Sequence, residues 1–275
     1  MSVVTMDDGV KIFYTDSGHG ETLIFLHGLN SSHKVNHDFY NLFMEDYWVI
    51  LYDQRGHGNS DKSNVHMNVR RLGKDLREII NFLNLDDVTL IGHSMGAATI
   101  YSYVNQYGCD KVKRIVASDM SPYMRNDSWG GGIGQGSWTD NDFMEDFERI
   151  FDDVGEAAFH ISKKLMDPAL DELSESGKYE MIERFRNATD SFTMASLWFS
   201  LFKTDQRHAI SKVTVPFMYL MPTNPLYSME SVNYLKQNVQ DVFVLENDFP
   251  NTSHALWRQM PHEVADAVKR FIEKY

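Results

Sequence analysis

Cysteine is almost absent: Cys109 is the only one in 275 residues, so no intramolecular disulfide can form and nothing marks an oxidising compartment. Long apolar runs are missing too. No stretch reaches the roughly 18 consecutive apolar residues of a membrane span, and MSVVTMDDGV lacks the basic, then apolar, pattern of a secretory leader. Positive charge is scarce. The 26 basic and 39 acidic residues leave a net charge of −13, which repels phosphate backbones and anionic lipid surfaces. These absences predict a cytoplasmic chain with neither a nucleic-acid nor a membrane partner. No low-complexity tail, charge block or internal repeat marks a linker, so a single domain over 1–275 is expected.

Short β-branched or aromatic runs bounded by turn residues read as strands at Val10 to Tyr14, Thr22 to Leu26, Trp48 to Tyr52, Val88 to Ile91, Arg114 to Ser118, Val215 to Leu220 and Val242 to Leu245. Helical patterns separate them. In NVRRLGKDLREIINFLNL the residues Val69, Leu72, Leu76, Ile79, Ile80 and Leu83 recur at three- and four-residue intervals, as on a helix covering a sheet face. Phe39 to Met44, Met95 to Gln106, Met229 to Gln237 and Pro261 to Lys274 are further helix candidates. Strands alternating with helices predict an α/β fold, a mostly parallel sheet covered on both faces. Between Asp119 and Val215 no buried strand is evident. A helical cap inserted over 121–210 is expected there, lying over the carboxyl end of the strands, where such sheets bind ligands. WGGGIGQGSW near its start fits no phosphate-binding spacing and reads as a flexible lid turn.

TLIGHSMGAATIYSYV sets an apolar strand, then Gly92-His93-Ser94-Met95-Gly96, then a helix. A strand-to-helix turn this sharp strains the serine backbone, glycines on either side avoid clashes, and the hydroxyl is presented above the sheet. The helix start behind it offers unpaired N–H groups and a positive dipole end, suited to developing negative charge. FLHGLNSS follows an earlier strand, and its His-Gly turn can aim the Leu29 N–H into the same site as the Met95 N–H, a pair of donors that would form an oxyanion hole. Near the C-terminus, His254 sits in a polar loop between the last strand and an amphipathic helix. Histidine titrates near neutrality and can pass a proton both ways, which makes His254 the candidate general base. His33 and His37 have metal-compatible spacing, but no Glu lies between them and no third ligand is evident, so they read as surface histidines.

FLHGLNSS, LYDQRGHGNSD, GHSMG and SHALWRQMPHEVADAVKRFI together resemble the α/β-hydrolase superfamily over nearly the whole chain. VASDMSPYMRNDSW is similar, more narrowly, to esterase- and haloperoxidase-like bacterial hydrolases with an Asp-x-x-Pro segment after strand six. The resemblance implies Ser94 as nucleophile, His254 as base, Leu29 and Met95 as oxyanion donors, and a structural role for Asp53 and His57. It also implies a triad acid after strand seven. There the chain reads Met221-Pro222-Thr223-Asn224-Pro225, with no carboxylate. Asp119, at the end of strand six, is the preferred acid. Asn224 is the alternative, with Asp248 and Asp205 as lesser candidates.

The expected function is a serine hydrolase, foremost a carboxylesterase acting on a small or medium hydrophobic small-molecule ester, with no metal or organic cofactor required. A C–C hydrolase, lactonase or perhydrolase would use the same residues. A slow or non-catalytic ligand sensor is the alternative that the missing acid raises.

Overall fold

The computed structural model describes residues 2–275. Eight strands form one sheet: β1 (Ser2–Thr5), β2 (Lys11–Ser17), β3 (Glu21–Leu26), β4 (Tyr47–Tyr52), β5 (Val88–His93), β6 (Val112–Ser118), β7 (Phe217–Leu220) and β8 (Phe243–Glu246). Their order is β1-β2-β4-β3-β5-β6-β7-β8, with β1 and β2 antiparallel to their neighbours and the rest parallel. β1 was not anticipated. Four residues on a sheet edge, half of them exposed, carry too short an alternation to read as a strand.

The helices are α1 (His37–Asn41), α2 (Val69–Phe82), α3 (Met95–Tyr107), α4 (Asp140–Asp152), α5 (Val154–Ile161), α6 (Glu175–Ala188), α7 (Ser191–Lys203), α8 (Arg207–Ile210), α9 (Met229–Asn238), α10 (Leu256–Gln259) and α11 (Pro261–Lys274). α2 starts where the Asn68 side chain accepts from the Arg71 N–H. It buries Val69, Leu72, Leu76, Ile79 and Ile80, the stripe its spacing predicts. α1 ends short of Met44, because Leu42, Phe43 and Met44 bond back three residues in tight turns that lead into β4.

Alternate residues of each central strand face opposite sides. Ile24 and Leu26 pack with α2 and α3, whereas Leu23 and Phe25 pack with α1 and α11. Each such side chain, fully buried, is worth roughly 1.5–3 kcal/mol over exposure. The interval between β6 and β7 holds α4 to α8, with a π-helical turn at Ser162–Met166 and a 3-10 segment at Pro168–Glu172. The Met- and aromatic-rich run from Phe192 to Phe202 is expected from its sequence to form the buried face of cap helices; Met194, Leu197, Trp198 and Phe202 are buried, but Phe192 and Phe199 are exposed. The Gly-rich turn is pinned, contrary to the lid-turn expectation. Ile133 bridges to Tyr227, and the Asn126 side chain donates to the carbonyls of Ile133 and Trp138, both at 2.7 Å.

Candidate active site

Strand register sets the site. His93 pairs with Ser118, which pairs with Leu220, so Ser94 and Asp119 each lie one residue beyond the carboxyl ends of adjacent parallel strands. The ladder continues past those ends: the Ser94 N–H donates to the Ser118 carbonyl at 3.1 Å and the Asp119 N–H to the Leu220 carbonyl at 3.0 Å.

Ser94 has φ 54° and ψ −122°, a conformation costing on the order of 1–3 kcal/mol for a residue with a side chain. Its neighbours explain how the turn closes. A Cβ at Gly92 would lie 2.6 Å from the Ala97 nitrogen, and one at Gly96 would lie 2.1 Å from the Leu26 carbonyl oxygen. Only glycines let α3 approach β3 and β5 this closely. Met95 is the first residue of α3, and its N–H has no acceptor among the described residues. The Leu29 N–H likewise has none. Two unspent donors thus flank the serine.

The loop carrying Leu29 is braced by the run Asp53 to His57. His57 donates from Nδ1 to the Arg55 carbonyl at 3.0 Å and accepts the Asn30 N–H on Nε2 at 3.1 Å. His27 donates from Nδ1 to the Gly28 carbonyl and accepts the Gln54 N–H on Nε2. Both rings are fixed in one neutral tautomer, and burial pushes His57 down to about 3. Asp53 takes the His33 N–H at 2.7 Å, the His33 ring at 2.8 Å and the Asn59 N–H at 2.8 Å. Burial alone would raise its carboxyl, but these N–H donors outweigh burial and hold it below the usual range. His33 is therefore tied into the loop and half-buried, not a free surface group. His37 is exposed and bonds Asn41. Among the described residues no group of three or more His, Cys, Asp or Glu could hold a metal.

His254 lies between β8 and α10 and is buried. Its Nδ1 donates to Asp119 Oδ2 at 2.8 Å, leaving Nε2 as the basic atom. Asp119, wholly buried with φ 41°, also accepts the Leu226 N–H on both oxygens at 3.2 and 3.1 Å. Its negative charge adds to burial in raising the phenol pKa of Tyr101, Tyr219 and Tyr227. The backbone of His254 is held from the Ser94 turn itself, since His93 Nε2 donates to the His254 carbonyl at 2.6 Å. Burial, then the adjacent His254, pushes His93 down to about 3, so it remains a neutral donor.

Ser94, His254 and Leu29 line one cavity of about 650 Å³, walled largely by apolar side chains such as Met120, Met124, Trp198, Leu201 and Leu226. Ser94 Oγ and His254 Nε2 are not hydrogen-bonded to each other; contacts of this kind tighten when substrate binds. The other acid candidates lie elsewhere. Asn224 and Asp248 are exposed, and Asp205 holds Arg207. Sequence reasoning missed Asn30. Its side chain is 8% exposed, lines the same cavity and leaves both amide atoms without a protein partner, a property that only packing reveals.

Known proteins share this architecture. Over 80% of each chain, the sequence is 25% identical to a bifunctional esterase/perhydrolase of Acinetobacter calcoaceticus. It is 32% identical over 123 residues to a non-heme chloroperoxidase of Kitasatospora aureofaciens. It is 34% identical over 117 residues to a non-heme haloperoxidase of Rhodococcus erythropolis. In these last two matches the chain spans somewhat under half of the relative's length, 45% and 43%. An esterase structure from Exiguobacterium antarcticum superposes with a TM-score of 0.87 at 21% identity, covering 99% of both chains. At that identity the likeness speaks for the fold alone. Residues 21–221 match the family described as alpha/beta hydrolase fold, and with the sheet order and the strand-end site above, the chain belongs to that family.

Proposed function

We propose that this protein is a serine hydrolase that cleaves small or medium hydrophobic carboxylic esters through an acyl-enzyme. The observation that carries the reading is the 2.8 Å bond from His254 Nδ1 to Asp119, buried beside a cavity that also holds Ser94. In this mechanism His254 Nε2 takes the Ser94 proton as Oγ attacks the ester carbonyl. The Leu29 and Met95 N–H groups hold the oxyanion, and Asp119 stabilises the imidazolium. His254 returns the proton to the departing alcohol, and water repeats the steps on the acyl-enzyme. The chemistry needs no metal or organic cofactor. Helices α4 to α8 act as the cap, their apolar residues forming the acyl wall. A carboxylate on His254 supports turnover over the non-catalytic sensor reading.

Perhydrolysis is the second reading, favoured by the relative named as an esterase/perhydrolase. There hydrogen peroxide replaces water as the attacking group, the acyl group leaves as a peracid, and Ser94 regains its proton. The test is intact-mass labelling by a fluorophosphonate together with p-nitrophenyl butyrate turnover. The reading expects stoichiometric labelling and sustained turnover, both lost in Ser94→Ala. Labelling without turnover would return the sensor alternative.

A further inference from the structure

Arg184, on α6, lines the cavity that holds Ser94 and His254, with part of its side chain in solvent and part set into the cavity wall. It meets no carboxylate among the described residues. Other arginines of the chain do: Arg55, Arg114, Arg186 and Arg207 each lie within 3 Å of an acid. Arg70 and Arg149 also meet no acid among the described residues, but of these three only Arg184 lines the cavity.

Arg184 lies over the Phe185 ring, 5.3 Å from its centroid, and its N–H donors meet no acceptor among the described residues. Burial and the like charge of Arg258 both lower its pKa, the reverse of the shift at the paired Arg55, Arg186 and Arg207. Arg258 lines the same cavity, and its one ion pair among the described residues is with Asp167, at 3.5 Å. The fixed charges of the lining are Lys34, Arg184 and Arg258 against Asp167, or 3 − 1 = +2, on a chain of net charge −13. Asp53 and Asp119 are fully buried behind His33 and His254 and do not line the cavity. Met181 and Phe185, neighbours of Arg184 on α6, add apolar surface to the same wall.

We propose that Arg184, assisted by Arg258, forms an anion subsite in this cavity, so that the natural substrate carries a carboxylate on an apolar chain in addition to its scissile ester. A planar guanidinium with an unused fork of donors suits a carboxylate, and a partly desolvated site strengthens the bond. The subsite stands on the cavity lining; the scissile ester rests on the hydrolase reading above.

Calorimetric titration of Ser94→Ala protein with monoethyl adipate and with diethyl adipate separates the two. These probes share the adipoyl chain, and the diester has a second ethyl ester where the monoester has its carboxylate. The parent should prefer the monoester, and adding Arg184→Gln should reduce that preference about tenfold, in keeping with the loss of a charge-assisted bond. Arg184→Lys should fall between, since it keeps the charge and loses the fork. Equal or tighter diester binding by the parent, no saturable monoester binding, or an unchanged preference in Arg184→Gln would each overturn the subsite. Failure of the unmodified protein to hydrolyse monoethyl adipate, with the monoester preference intact, would instead remove the esterase reading and leave the subsite standing.

Discussion

Asp119 and His254 stand 135 residues apart in the chain and 2.8 Å apart in space, joined by a hydrogen bond from imidazole Nδ1 to a wholly buried carboxylate. Adjacent parallel strands make this possible. β6 and β7 end side by side, so a carboxylate just beyond β6 can serve a histidine loop that would otherwise be met from β7. The loop after β7, which has no acid of its own, contributes the Leu226 N–H to the same carboxylate. The two strand ends have in effect exchanged donor and acceptor.

Acid should unfold the protein through His57 and His93. Both are held near 3 by burial, whereas an unfolded histidine titrates at about 6.5. Between those values the unfolded chain binds the extra protons, so stability falls as pH falls, by at most about 1.4 kcal/mol per pH unit for each ring. Urea denaturation at pH 7, 6 and 5 should show a steadily lower midpoint, and His57→Gln should flatten the slope. A midpoint constant over that range would contradict the assignment.

Asn30 should show function and stability pulling apart. Its buried amide lacks a protein partner and its φ is 55°, so Asn30→Gly removes both a desolvation cost and a strained backbone. The variant should melt no lower than wild type yet lose about tenfold in kcat/KM, because Asn30 lines the cavity and directly follows the Leu29 donor, whose position a glycine would loosen. A lower melting temperature with unchanged kcat/KM would make Asn30 a structural residue.

Particular residues show what the sequence made legible. α11 begins at Pro261 and ends at Lys274 as its Pro start and apolar spacing predict, and GHSMG lies between strand and helix because only its glycines permit that approach. These features are local. Asp119 could be named from its strand end, but its bond to His254 depends on the register of three strands and on a loop 135 residues away. Arg184 and Asn30 were invisible for the same reason: an absent partner is a property of the packed molecule. The pinned Gly-rich turn shows the converse error. Composition predicts flexibility there, while Asn126 and Tyr227 tie it down.

Asp146 should be a liability at neutral pH. It is 2% exposed on α4, its Oδ2 has no partner, and burial pushes its carboxyl up to about 7. A folded pKa above the unfolded value means that the native state binds the proton more tightly, so stability is lost as pH rises from about 4 through 7. Asp146→Asn should therefore stabilise by about 1–3 kcal/mol at pH 8 and by little at pH 4, measured by denaturant unfolding. Equal effects at both pH values would contradict the buried-carboxylate account.

The most direct test is the steady-state hydrolysis of p-nitrophenyl butyrate by wild type and Asp119→Asn, with Ser94→Ala as background and thermal melts confirming that each variant folds. An amide cannot stabilise the imidazolium by charge, so Asp119→Asn should fall toward the Ser94→Ala level, by up to about 10⁴-fold in kcat. A folded Asp119→Asn protein that retains wild-type turnover would contradict the central claim that the carboxylate after β6 completes the site.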